Sequence, residues 1–172
     1  MSYNMSYNNE LEMYPDIINS IDFYLKLYHY EYKIFETWHE ISTDVRDRFQ
    51  KEFEILGDLG KPDIMVFLKK EFDEEYKVLI IEAKVNSIVL KDIAQAKMYG
   101  DLYDADYVFL VSPEDLRRNI IRYSDTNKNL FRYSDNKLSL KREVKFIKIS
   151  DKNLLINQPF PTGELFYDNN NR

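Results

Sequence analysis

Apolar and polar residues follow one another in blocks whose period switches between that of a helix and that of a strand. Ile17, Ile18, Ile21, Leu25 and Tyr28 recur at helical spacing and predict a helix over 15–29. Tyr32–Ile41 alternates Ile34 and Trp38 against Phe35 and Thr37 and reads as a strand, and Phe49–Leu56 reads as a second, shorter one. Lys61–Lys70 and Lys77–Val85 are apolar strands in tandem, Val89–Tyr103 is a helix, and Asp106–Ser112 is a buried strand. Pro113, Glu114 and Asp115 suit the first turn of a helix reaching to about Tyr123. Leu130–Tyr133 and Leu138–Lys141 read as a hairpin about a turn at 134–137, and Glu143–Ser150 as a final strand.

This order implies an α/β fold in which helices flank a mixed central sheet. Residues 1–13, polar and Asn-rich, are expected to be disordered or irregular. Residues 14–158 form one domain, and 159–172, with two prolines and a run of Asn, form an irregular tail. A length of 172 residues suits a single domain with a sizeable core.

Composition narrows the chemistry mainly by exclusion. The absence of cysteine removes disulfides, cysteine–zinc and iron–sulfur sites, and thiol catalysis. Only 4 glycines are present, with no glycine-rich phosphate loop. His29 and His39 lack zinc-ligand spacing and are expected to be partly buried. There is no 18-residue apolar run or signal-peptide pattern, so the expected location is intracellular, soluble and cytoplasmic, away from membranes.

The net charge is −6, but it is unevenly spread. Residues 1–115 carry 12 Lys/Arg against 24 Asp/Glu, whereas residues 116–148 carry 10 against 3. Tyr123, Phe131 and Tyr133 interleave that basic block. Such a block suits phosphate neutralisation, with Lys91, Arg117, Arg118 and Arg122 as candidate nucleic-acid contacts; it equally suits a solvated face that balances the acidic half.

One constellation carries specific chemistry. Asp63 stands at the entrance of the first tandem strand, and Glu82 and Lys84 stand two apart in the second. Strand alternation places Glu82 and Lys84 on one face, where an otherwise apolar strand would carry two costly charges. A divalent metal between Asp63 and Glu82 would compensate; the plainer reading is a solvated Asp and a strand-end ion pair. Other Glu-x-Lys sets, Glu31-Tyr32-Lys33 and Glu75-Tyr76-Lys77, lack a Pro-Asp strand before them.

Pro62-Asp63, an 18-residue spacer and Glu82-Ala83-Lys84 at the end of an apolar strand resemble the PD-(D/E)XK nuclease superfamily, which includes restriction endonucleases, archaeal Holliday-junction resolvases and RecB-type exonucleases. Gln95 and Tyr99 match the Gln-x-x-x-Tyr pair of RecB-type members, and Lys91 lies one turn earlier. The resemblance implies a restriction-endonuclease-like αβββαβ core and a Mg²⁺-dependent nuclease, Mn²⁺ substituting, that hydrolyses DNA; RNA is the open alternative. It implies that Asp63, Glu82 and the Ala83 carbonyl hold the metal. It further implies that Lys84, its pKa depressed, orients or deprotonates the attacking water, that Gln95 supports that water or Lys84, and that Tyr99 contacts phosphate. A further upstream acid is expected among Glu10, Glu12, Asp22, Glu36, Glu52 and Glu54, with Glu52 favoured by its place just before Pro62. A homodimer would suit an enzyme cutting both strands. The alternative from another class is a nucleic-acid-binding or interaction module that keeps the fold without cleaving.

Overall fold

The computed structural model describes residues 7–56, 60–133 and 142–166. A single 3₁₀ turn at Glu10–Glu12 precedes helix α1 (Tyr14–Leu27). Strand β1 (Glu31–Glu36), helix α2 (Thr43–Leu56), and strands β2 (Ile64–Lys69) and β3 (Lys77–Ala83) follow. Then come helix α3 (Leu90–Leu102), strand β4 (Tyr107–Ser112), helix α4 (Arg118–Thr126), and strands β5 (Val144–Ser150) and β6 (Asn153–Leu154).

All six strands join one mixed sheet in the order β1-β2-β3-β4-β5-β6. The β1–β2, β2–β3 and β5–β6 pairs are antiparallel, and β3, β4 and β5 run parallel. The two parallel steps are made through α3 and α4, as parallel pairing requires a long crossover. Helices cover both faces, so β2 and β4 are apolar and buried almost throughout rather than alternating.

On one face Ile64, Val66, Leu79, Ile81, Phe109 and Ile147 pack against α1. Its Ile17, Ile21 and Leu25 recur every four residues and are fully buried. Burial of each such side chain contributes about 1.5–3 kcal/mol. Pro15 and Asp16 occupy the first turn of α1, as the sequence suggests. At its other end His29 adopts φ 58°, and Tyr30 N–H reaches back to the Leu25 carbonyl at 2.9 Å, closing the helix in a left-handed cap. On the opposite face Met65, Phe67, Val78, Ile80, Val108 and Leu110 meet α2, α3 and α4.

Several expectations need correction. Phe49–Leu56 is not a strand but the second half of α2, kinked at Phe49. Val45 and Phe49, four apart, are buried, with Phe53 packed beside them. β1 stops at Glu36, because Thr37 turns inward and its hydroxyl donates to the Pro62 carbonyl. α4 begins at Arg118 rather than Pro113, because the Ser112 hydroxyl accepts from Glu114 N–H and holds a turn there. Of the start expected to be irregular, 1–6 lies outside the described residues, and 7–13 is ordered around the turn at Glu10–Glu12. Tyr7 donates to Asp16, and Met13 is fully buried.

Of the expected hairpin, 134–141 lies outside the described residues; Arg132 forms one bridge with Glu143. Of the expected irregular tail, 167–172 lies outside the described residues; 159–166 has little regular structure, yet Phe160 exchanges two main-chain hydrogen bonds with Phe146 (2.7 and 2.9 Å), and Leu165 and Phe166 are buried. His29 and His39 are exposed, not partly buried. No helix among the described residues is long and apolar enough to cross a membrane.

Candidate active site

The antiparallel β2–β3 register sets Ile64 opposite Ile81, so Asp63 and Glu82 meet at the end of that pair. The main-chain N–H of Asp63 donates to Glu82 Oε1 at 3.3 Å, and the N–H of Ala83 donates to Asp63 Oδ2 at 2.7 Å. Each acid therefore grips the other's strand. Trp38 N–H donates to the Asp63 carbonyl at 3.2 Å, which ties the turn after β1 to the same point.

Glu82 is only 2% exposed. Burial, and then the neighbouring Asp63 charge, pushes its carboxyl well above the usual carboxylate range. Asp63 is also pushed up by burial, against the pull of the Ala83 N–H, the Tyr14 hydroxyl and Lys84. The Lys84 ammonium lies 3.6 Å from Glu82 Oε2 and 4.0 Å from Glu10 Oε1. Burial pulls its pKa down, but Glu82, Glu10, Asp63 and Asp92 outweigh that and hold it above the ordinary lysine value. In the metal-free protein the shift therefore runs upward, opposite to the depression expected beside a bound cation.

Two groups join the site that residue patterns alone did not single out. Tyr14, first residue of α1, donates its hydroxyl to Asp63 Oδ1 at 2.8 Å. The only local signal was its place before Pro15. Glu10, and not Glu52, is the upstream acid brought to the cluster. Glu52 lies on α2, whereas Glu10 faces Lys84, its carboxylate 4.0 Å from that ammonium. Burial raises the Glu10 pKa, with Lys84 opposing and Asp63 and Asp92 adding to the rise.

Gln95 Nε2 donates to the Tyr99 hydroxyl at 3.3 Å. Tyr99 is fully buried, so its ring is part of the α3 core face rather than an exposed phosphate contact. Its hydroxyl still feels Glu82 and Asp63, and it lies 3.4 Å from where a Cβ on Gly60 would stand, so it points toward the strand ends. Gly60 has φ +95°, a conformation that favours glycine. Lys91, Arg117, Arg118 and Arg122 are exposed. Lys91 is in the first turn of α3, which follows β3, and Arg117 and Arg118 stand at the start of α4, which follows β4. Because β3 and β4 are parallel, both helices start at the edge of the sheet that carries Glu82 and Lys84. Arg122 lies one turn further along α4.

Among the described residues, no group of three or more His, Cys, Asp or Glu side chains is arranged to hold a metal ion. The side-chain oxygens at this point belong to two carboxylates, Asp63 and Glu82. They are hard oxygen donors, and each carboxylate oxygen that accepts one hydrogen bond keeps a second lone pair. Two adjacent acids raised by burial, with Glu10 close by, outnumber the single ammonium of Lys84. That imbalance fits a divalent cation. No protein family, curated protein or solved structure matches this chain.

Proposed function

We propose that this chain is a Mg²⁺-dependent nuclease of the PD-(D/E)XK type, acting on the phosphodiester bonds of DNA. The observation that carries the reading is the convergence of Asp63, Glu82 and Lys84 at one end of the β2–β3 pair, bound together at 3.3 and 3.6 Å. The order α1, β1, β2, β3, α3, β4 supports a restriction-endonuclease-like αβββαβ core, with α2 inserted between the first two strands.

In this reading Asp63, Glu82 and the Ala83 carbonyl hold Mg²⁺, or Mn²⁺ in its place. A bound ion would offset negative charge on the phosphate and lower the pKa of a water. Lys84 orients the attacking water, offsets phosphate charge and donates hydrogen bonds to the group attacked. Gln95 gives the rim of the site an amide that orients water. Tyr14 and the Ala83 N–H fix the direction of the Asp63 carboxylate, which is positioning done before substrate arrives.

The test is a cleavage panel of linear, nicked, single-stranded and four-way DNA, with RNA as a parallel arm, in Mg²⁺ or Mn²⁺. Cutting by the wild type, lost in Glu82→Ala and in Lys84→Ala while their melting curves remain cooperative, is the expected result. Binding without cutting of any substrate would replace this reading with a non-catalytic module on the same fold.

A further inference from the structure

A run of aromatic side chains leads outward from the acid pair, and beyond Tyr14 it has no part in that chemistry. Tyr14 is 4% exposed, and its hydroxyl is on Asp63. Its ring lies 5.6 Å from the Trp38 indole at 39°, and the His39 ring meets that indole edge-on at 5.1 Å and 83°. Exposure rises outward along the series, from buried Tyr14 through half-buried Trp38 to exposed His39. The series is fastened to the acid by main chain, through Trp38 N–H on the Asp63 carbonyl and the Thr37 hydroxyl on the Pro62 carbonyl. An indole held this way keeps a fixed distance from the point where a phosphodiester would sit.

Exposed Glu36 and Glu40 lie two residues to either side of Trp38 in the chain, and the indole N–H donates to Glu36 at 3.4 Å. Acids there repel a phosphate backbone but not an uncharged base. Every base has a π-face that stacks on an aromatic ring, and in a closed duplex those faces are already covered. We propose that Trp38, with His39 at its outer edge, is a stacking platform for an unpaired nucleobase next to the phosphodiester held at Asp63 and Glu82. The substrate is then a single strand or a frayed end rather than closed duplex. This rests on the nuclease reading of the acid pair.

Trp38 is the only tryptophan in the chain, so its fluorescence, excited where tyrosine does not absorb, reports on this one place. The experiment titrates the wild-type protein, in Ca²⁺ instead of Mg²⁺, with a labelled thymidine oligomer, the matching uridine oligomer and a blunt duplex of equal length. Label anisotropy and Trp38 emission are followed together. Single strands quench Trp38 as they bind, while the duplex leaves it nearly unchanged. Trp38→Ala weakens single-strand binding roughly tenfold or more, and Trp38→Phe restores most of it. Stronger quenching by either oligomer supports the platform and assigns the sugar. Binding without a change in Trp38 emission, equal quenching by duplex, equal affinity of Trp38→Ala, or no binding of single strands would each overturn the proposal. Quenching together with failure to cut in Mg²⁺ would keep the platform and remove the nuclease reading.

Discussion

The Tyr14 hydroxyl and Asp63 Oδ1 are 2.8 Å apart, which joins the first helix to the entrance of the second strand across 49 residues of sequence. Tyr14→Phe keeps the ring and deletes only that bond. It should cost about 1 kcal/mol of stability. In a Mg²⁺ titration of cleavage it should raise the half-saturating concentration several-fold while maximal rate changes less. An unchanged Mg²⁺ dependence would leave Tyr14 a packing residue.

Glu82→Gln keeps the shape and removes the charge. It relieves a buried like-charge contact with Asp63, so the metal-free variant should melt above the wild type, by about 2–4 °C for each kcal/mol released. Cleavage should fall to background. A variant both less stable and inactive would mean that Glu82 holds the fold rather than the cation.

The pH dependence has a definite sign. Glu82, Asp63, Glu10 and Asp106 all have raised values in the folded state, burial being the leading cause in each. The folded protein therefore binds more protons than the unfolded chain above the ordinary carboxylate value of about 4, and stability falls as pH rises from there toward neutrality. Metal-free protein should melt higher at about pH 5 than at pH 7.5. Mg²⁺ should raise the melting temperature more at the higher pH, where it replaces lost protons. Calorimetric scans at the two pH values, with and without Mg²⁺, check both statements.

Gly100→Ala tests how closely α3 is packed. An added Cβ would stand 2.5 Å from Cδ2 of the buried Tyr133 ring, whose hydroxyl is bonded to the Ala105 carbonyl at 3.0 Å. Overpacking of this kind costs ~1–3 kcal/mol, against a gain of ~1 kcal/mol in helix propensity. Urea unfolding should show a net loss of stability at unchanged m-value.

The sequence made β2, β3 and β4 readable because unbroken apolar runs are what a sheet covered on both faces requires. Asp63, Glu82 and Lys84 were readable because charge in such runs demands a partner. α2 was misread because a window opening at Phe49 cuts off Val45, which leaves Phe49 and Phe53 as a single pair among charges instead of a series of three at four-residue spacing. Glu10 and Tyr14 reach the site only through tertiary packing of the chain's beginning, and no local period announces that. The sign of the Lys84 shift likewise depends on how many acids surround it, a number that only the assembled fold supplies.

Both margins of the sheet discourage growth. β1 turns Glu31, Lys33 and Glu36 toward water, and at the far side β6 is only two residues long. A neighbouring molecule gains little by adding its own strand at either place, so concentrated solutions should resist ribbon-like polymerisation. If two copies do associate, helical surfaces rather than a continued hydrogen-bond ladder must supply the contact.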